Sequence, residues 1–244
     1  MLNSRKMKDM KVSPVLLLVA MLAVAPGARA ADIIGNITLK GTPPAETDLS
    51  SYMKDYADCA AMYPGKMPTT HFFVVGPKGE FADVVVSLKG MSGKSTGAGA
   101  PPVVLDQKGC IYTPQILAIQ TGQKLLVRNS DNCIHNVHCT PAVPGNEEHN
   151  DAQMAGASDL AYTFAKPEMF VKFECNVHPW MRAWVCVFDH PCFSVSGTDG
   201  RFIIKNVPPG KYTVEADHRK LGSQTQDVEV KDGDVTVNFT FEVK

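Results

Sequence analysis

After its first thirty residues the sequence has no long apolar run, no cluster of basic residues and no stretch with a sustained helical period. Without a second apolar run, the chain beyond the leader has no segment suited to cross a bilayer as a helix. Without basic clusters it lacks the electrostatic footprint of a nucleic-acid or anionic-membrane binder. Without helical periodicity it reads as all-β. There is no His-Glu-x-x-His or phosphate-loop motif, so the common metalloprotease and nucleotide-binding signatures are missing. No enzyme is expected.

The first thirty residues read as a leader. Arg5, Lys6, Lys8 and Lys11 make a basic start, residues 15–24 are apolar, and Ala28-Arg29-Ala30 is a small-x-small cleavage site. This is the pattern of a secretory signal peptide removed near Ala30, which implies a periplasmic or secreted protein. The leader carries five basic residues and one acid. The remainder has 19 basic against 24 acidic residues, a formal charge of −5.

All seven cysteines lie beyond the leader. In an oxidising compartment six can pair and one is left over. Cys175 is the one with metal-ligand neighbours. Cys59, Cys110, Cys133, Cys139, Cys186 and Cys192 are expected in disulfides, and spacing alone does not choose the pairing.

Those neighbours lie in Cys175-Asn176-Val177-His178-Pro179-Trp180-Met181, which offers a thiol, an imidazole and a thioether at Cys-x-x-His-x-x-Met spacing. A short loop can bring the three side chains to one point. A thiolate, imidazoles and a weak axial thioether are the ligand set of a blue-copper electron-transfer centre. Zinc is the main rival, but it rarely uses methionine. A second histidine is available after the corner Asn129-Ser130-Asp131-Asn132. His135 and His138 are three apart, so on a regular strand they face opposite ways and only one can meet Cys175.

These two segments resemble the cupredoxin family, and the short ligand loop is most similar to that of amicyanins. The resemblance covers roughly residues 103–188. It implies a Greek-key β-sandwich with one copper per chain, held by His135, Cys175, His178 and Met181. It also implies that Asn136 ties the ligand segments together and that the edge of His178 is partly exposed as the electron port. Trp180 and Pro179 read as packing residues around the loop or, functionally, as an apolar rim around that edge where a partner docks. His138 is then a surface or outer-layer residue. The partner would be a redox protein such as a c-type cytochrome or a dehydrogenase. Similarity to related secreted cupredoxin-like proteins favours a Cys59–Cys110 bridge. Cys133 and Cys139 bracket His135, and Cys186 and Cys192 follow the ligand loop, so two bridges between those brackets, in a pairing the sequence leaves open, would clamp the halves of the site together. Copper oxidases and nitrite reductases need further copper sites with His-x-His pairs, and a binuclear site needs two cysteines in one loop. Cys186 is eleven residues past Cys175. Copper storage, delivery or sensing is the alternative function.

The flanks differ. Residues 33–39 alternate as a strand, 46–63 read as a loop with a helical turn, and 71–75 and 84–88 read as strands. Residues 90–102 are a Gly/Ser/Pro-rich loop and 141–160 a polar surface excursion. At the end, Asp199-Gly200-Arg201-Phe202 followed by Pro208-Pro209-Gly210-Lys211-Tyr212 resembles the carboxypeptidase regulatory-like (transthyretin-like) sandwich. The expected order is 1–30 signal peptide, 31–102 N-terminal β segment, 103–193 cupredoxin-like domain and 194–244 C-terminal β segment. The two β segments form either one sandwich split by the insert or two units in tandem.

Overall fold

The structure is a computed structural model and describes residues 29–243. The expected leader therefore lies almost wholly outside the described residues. The described chain is all-β: four sheets form two sandwiches, and the helices are two short turns.

The first sandwich is built from both ends of the described chain. Strand β1 (Ala31–Lys40) pairs antiparallel with β13 (Arg201–Val207) and parallel with β16 (Val235–Thr236) and β17 (Phe239–Glu242). In β1, Ile33, Ile37 and Leu39 are buried and the residues between them are more exposed, as expected for a strand with one face in a core. The facing sheet runs β12 (Phe193–Val195), β2 (Val85–Leu88), β14 (Gly210–His218), β15 (Gly222–Val230). Strands β1 and β2 pair only with strands beyond residue 192. This sandwich is thus discontinuous in sequence.

The second sandwich occupies the interval. One sheet is β5 (Ile116–Gln120), β11 (Arg182–Phe188), β10 (Glu168–Glu174), β7 (His135–Thr140), β8 (His149–Gln153). The other is β4 (Tyr112–Thr113), β3 (Val103–Gln107), β6 (Leu125–Asn129), β9 (Leu160–Tyr162). Between β1 and β2 the chain leaves the first sandwich, forms α1 (Ser50–Met53) and α2 (Ala57–Ala61) against the second, and returns.

The sandwiches meet through strands that bury both faces. Ala183, Val185 and Val187 of β11 enter the core of the second sandwich. Trp184, Cys186 and Phe188 form a junction cluster with Val85 of β2 and Phe193. Doubly buried strands read as continuous apolar runs rather than alternating ones. Arg219, in the turn after β14, places its guanidinium 3.6 Å from the Trp184 ring centre, a cation–π contact across the junction.

Three expectations change. Residues 71–75 form no strand: His71 has φ +52°, Phe72 enters the junction cluster and Phe73 the first sandwich's core. The polar interval 141–160 contains strand β8, and the polar β15 passed unnoticed in the sequence. Both are edge strands, and half-solvated edges lack the apolar alternation that marks interior strands.

Gly35 marks the closest backbone approach within the first sandwich. A Cβ there would lie 1.6 Å from the Val237 carbonyl oxygen and 2.7 Å from the Phe202 ring. Gly35→Ala must displace main chain, and the expected loss is at least ~1–3 kcal/mol of folding stability. Thermal and denaturant unfolding check this; an unchanged midpoint would contradict the packing described.

Candidate metal centre

Strand alternation selects the histidine. On β7, His135, Val137 and Cys139 point into the core, and Asn136, His138 and Thr140 point outward. His135 is fully buried. His138 meets Glu148 at 2.7 Å and Asn176 at 3.3 Å on the outer face.

The remaining predicted ligands come from one loop. β10 and β11 pair antiparallel until Glu174 opposite Arg182, which leaves residues 175–181 as the connection. Cys175 N–H donates to the Met181 carbonyl at 3.3 Å, and Met181 N–H donates to the His178 carbonyl at 2.9 Å. Cys175 and Met181 therefore enter the same core from adjacent strand ends, and both are buried there.

Three donors converge. His135 Nδ1 and His178 Nδ1 are 3.0 Å apart, and His178 Nδ1 is 3.7 Å from Cys175 Sγ. One donor atom from each of the three lies within 4.8 Å of the others. Bonds to a metal of about 2.0–2.1 Å from nitrogen and about 2.3 Å from sulfur would reach from one point across both of these separations. Two Nδ1 lone pairs this close repel unless a proton or a metal ion lies between them. The donor set fits a soft transition metal.

Neighbouring groups fix these atoms. Asn136 N–H donates to Cys175 Sγ at 3.2 Å, while Asn136 Oδ1 accepts from Asn176 N–H at 3.1 Å. Asn136 thus joins the β7 segment to the ligand loop, the place the sequence reading gave it. Asp131 is the residue that reading missed. Its Oδ2 lies 2.9 Å from His135 Nε2. An ionised carboxylate accepts, which puts the proton on Nε2 and leaves Nδ1 free for a metal. Asp131 also accepts from Gly109 N–H at 2.6 Å and Cys110 N–H at 2.7 Å. Burial opposes its charge, but these bonds and His135 outweigh burial and hold its carboxyl below the usual range. The available signal was its position four residues before His135, at the corner leading into β7.

His178 corrects an expectation. Its edge does not reach solvent, and the residue is only 4% exposed. Tyr56 and Trp180 enclose it, with ring centres 5.1 and 5.2 Å away and 4.9 Å from each other. Tyr56 immediately precedes α2, and the Cys59–Cys110 disulfide ties α2 to the second sandwich. Trp180 Nε1 donates to the Cys110 carbonyl at 2.8 Å. Trp180 itself is partly exposed and Pro179 is exposed, beside a cleft of about 210 Å³ that both residues line. The cap was not legible because residues 46–63 carry no periodic signal.

The cysteines correct another. Cys59–Cys110 is formed; Cys133, Cys139, Cys186 and Cys192 are buried free thiols rather than two bridges. Their strands send them to different places. Cys139 faces the second core, Cys186 the junction and Cys192 the first core. Burial pushes the Cys139 thiol up to about 11 and that of Cys186 to about 12, so both stay neutral. Cys175 behaves oppositely. Burial opposes its ionisation, but His135, His178 and the backbone N–H groups of Asn136 and His178 outweigh burial and bring it down to about 6.

Residues 193–244 match the family model described as BOS complex subunit NOMO1-like, second beta sandwich domain. The match covers the last strands of the first sandwich. No curated protein matches the chain. Among solved structures, a copper-containing nitrite reductase (NirK) from Thermus scotoductus SA-01 is similar at 22% identity and TM-score 0.32, over 36% of this chain and 22% of that one. This chain thus spans about a fifth of the reductase. A Cu(I) structure of an amicyanin variant is similar at 21% identity and a reduced amicyanin variant at 22%. Each has TM-score 0.32 and covers 42% of this chain and 97% of that one. Among the described residues no helix is long and apolar enough to cross a membrane.

The lowered thiol gives a direct test. In the metal-free protein, thiolate ultraviolet absorbance should rise as pH increases through about 6, where an ordinary cysteine titrates near 8.5. Cys175→Ser should remove that step. A first thiolate step no lower than the ordinary value would contradict the site's electrostatics.

Proposed function

We propose that the second sandwich is a mononuclear copper centre that carries single electrons between redox partners. The observation that carries this reading is the buried convergence of His135, Cys175 and His178 in a loop that also delivers Met181. The NOMO1-like match concerns the other sandwich and bears on no part of this centre.

When bound, copper supplies the one-electron couple. The chain's own residues do the rest. Cys175 would present a thiolate, His135 and His178 imidazole nitrogens, and Met181 a thioether, to hold the copper. Asn136 and Asp131 hold these groups with hydrogen bonds, so little rearrangement is needed between oxidation states. The aromatic pair over His178 excludes water. Trp180, packed on His178 and partly exposed, is then the surface-facing end of the route that the sequence reading gave to the His178 edge. A redox protein such as a c-type cytochrome or a dehydrogenase would dock at the rim of Pro179 and Trp180. No reaction of its own is assigned to the chain, and an exported, periplasmic setting agrees with its disulfide.

Copper storage or delivery is the second reading. It needs a path by which the ion leaves, and the Tyr56–Trp180 cover over His178 argues for retention instead. Transfer of copper to a chelator within minutes would favour delivery.

The purified protein should hold one copper per chain and show an intense visible band that dithionite bleaches reversibly. A stoichiometric zinc protein that stays colourless after copper reconstitution would end the electron-transfer reading.

Variants separate the roles. Cys175→Ser should abolish the band even where copper binds. Met181→Leu should keep colour and raise the potential by roughly 59 mV, a tenfold change for a one-electron couple. His138→Ala should change neither. A bleached His138→Ala protein beside a coloured His135→Ala protein would reverse the histidine assignment; visible spectra and redox titration decide.

A further inference from the structure

Beside the disulfide lies a third sulfur. Cys133 Sγ is 3.8 Å from Cys110 Sγ, about van der Waals contact, and Cys133 is only 9% exposed. Cys110 is already bonded to Cys59. Cys110 therefore has one sulfur partner in the cap and a second at the corner leading into β7. Cys133 Sγ also lies 3.7 Å from His135 Nε2, the ring nitrogen that meets Asp131 rather than the one that faces His178. Asp131 fixes the arrangement by accepting from Gly109 and Cys110 N–H on one side while meeting His135 on the other.

We propose that Cys59, Cys110 and Cys133 form a thiol–disulfide exchange site that releases the cap from the metal centre. The Cys133 sulfur, as thiolate, attacks Cys110 Sγ. A Cys133–Cys110 bond forms and the Cys110–Cys59 bond breaks. Cys59 leaves as a thiolate and takes up the proton that Cys133 gave up. One disulfide and one thiol remain, so no oxidant or reductant is consumed.

The two disulfides have different reach. Cys59–Cys110 closes a loop of 51 residues in sequence separation and anchors α2, with Tyr56 at its start, over His178. Cys110–Cys133 would join two turns already held together by Asp131 and leave α2 without its covalent tie. Leu49 and Met53 remain packed in the second core, so the opening is local to α2 and Tyr56. The exchange itself does not depend on a metal; only its meaning for electron exit rests on the copper reading.

Metal-free protein carrying the full described chain is incubated at mildly alkaline pH, quenched with acid, alkylated and mapped by mass spectrometry. A Cys110–Cys133 cross-linked peptide with alkylated Cys59 is expected, and Cys133→Ser should lose it. The same exchanged fraction should show increased labelling of His178 by diethyl pyrocarbonate. Wild-type protein that keeps only Cys59–Cys110, with Cys133 alkylated, overturns the proposal. So does scrambling in which Cys59 or Cys110 pairs with Cys139 or Cys175. The wild-type map needs no variant to fold, and a colourless or copper-free protein leaves it equally readable.

Discussion

The antiparallel pairing of β10 with β11 runs to Glu174 opposite Arg182 and stops there. That register leaves seven residues to connect the strands, and it fixes which of them face inward. A slip of one residue would turn Cys175 and Met181 outward together, because side chains alternate along a strand. β11 resists such a slip on both faces. Its odd-numbered side chains fill the second core, and its even-numbered ones fill the junction between the sandwiches. The ligand loop is thus held by a strand that buries six of its seven residues.

The other half of the site obeys the same alternation. His135 enters the core because Val137 and Cys139 do, and His138 is excluded for the same reason. Asp131 then decides which nitrogen of His135 is available, and its remaining acceptor capacity reaches the backbone that carries Cys110. Electrostatics and covalent structure are therefore coupled through one carboxylate. The cap's anchor and the orientation of an imidazole share a support.

Much of this was legible in the sequence because alternation and spacing are local signals. The strands around residues 33–39 and 84–88 emerge where they were read, and loop spacing and a corner led to the four candidate ligand positions. What was not legible depends on tertiary contact. β8 and β15 are polar edge strands with no apolar rhythm. Phe72 and Phe73 look like part of a strand but serve two different cores. The cysteine count assumed that partners could meet. Cys139, Cys186 and Cys192 lie in three separate clusters, a separation that no spacing rule encodes. The Tyr56 half of the cover over His178 comes from a segment more than a hundred residues earlier, without periodicity of its own.

That cover explains why the two sandwiches form one working unit. Residues 103–188 contain all the candidate ligands, yet they do not complete the environment of His178. Tyr56 and Cys59 come from the chain that leaves β1 and returns to β2, and they are held against the second sandwich by its core and by Cys110. An isolated 103–188 segment would carry every donor while leaving Cys110 unpaired and one face of His178 bare to water. Water at that face would raise the local polarity and stabilise the more highly charged state of a bound ion. The segment between β1 and β2 thus does more than link two strands: it supplies an aromatic wall of the candidate metal centre.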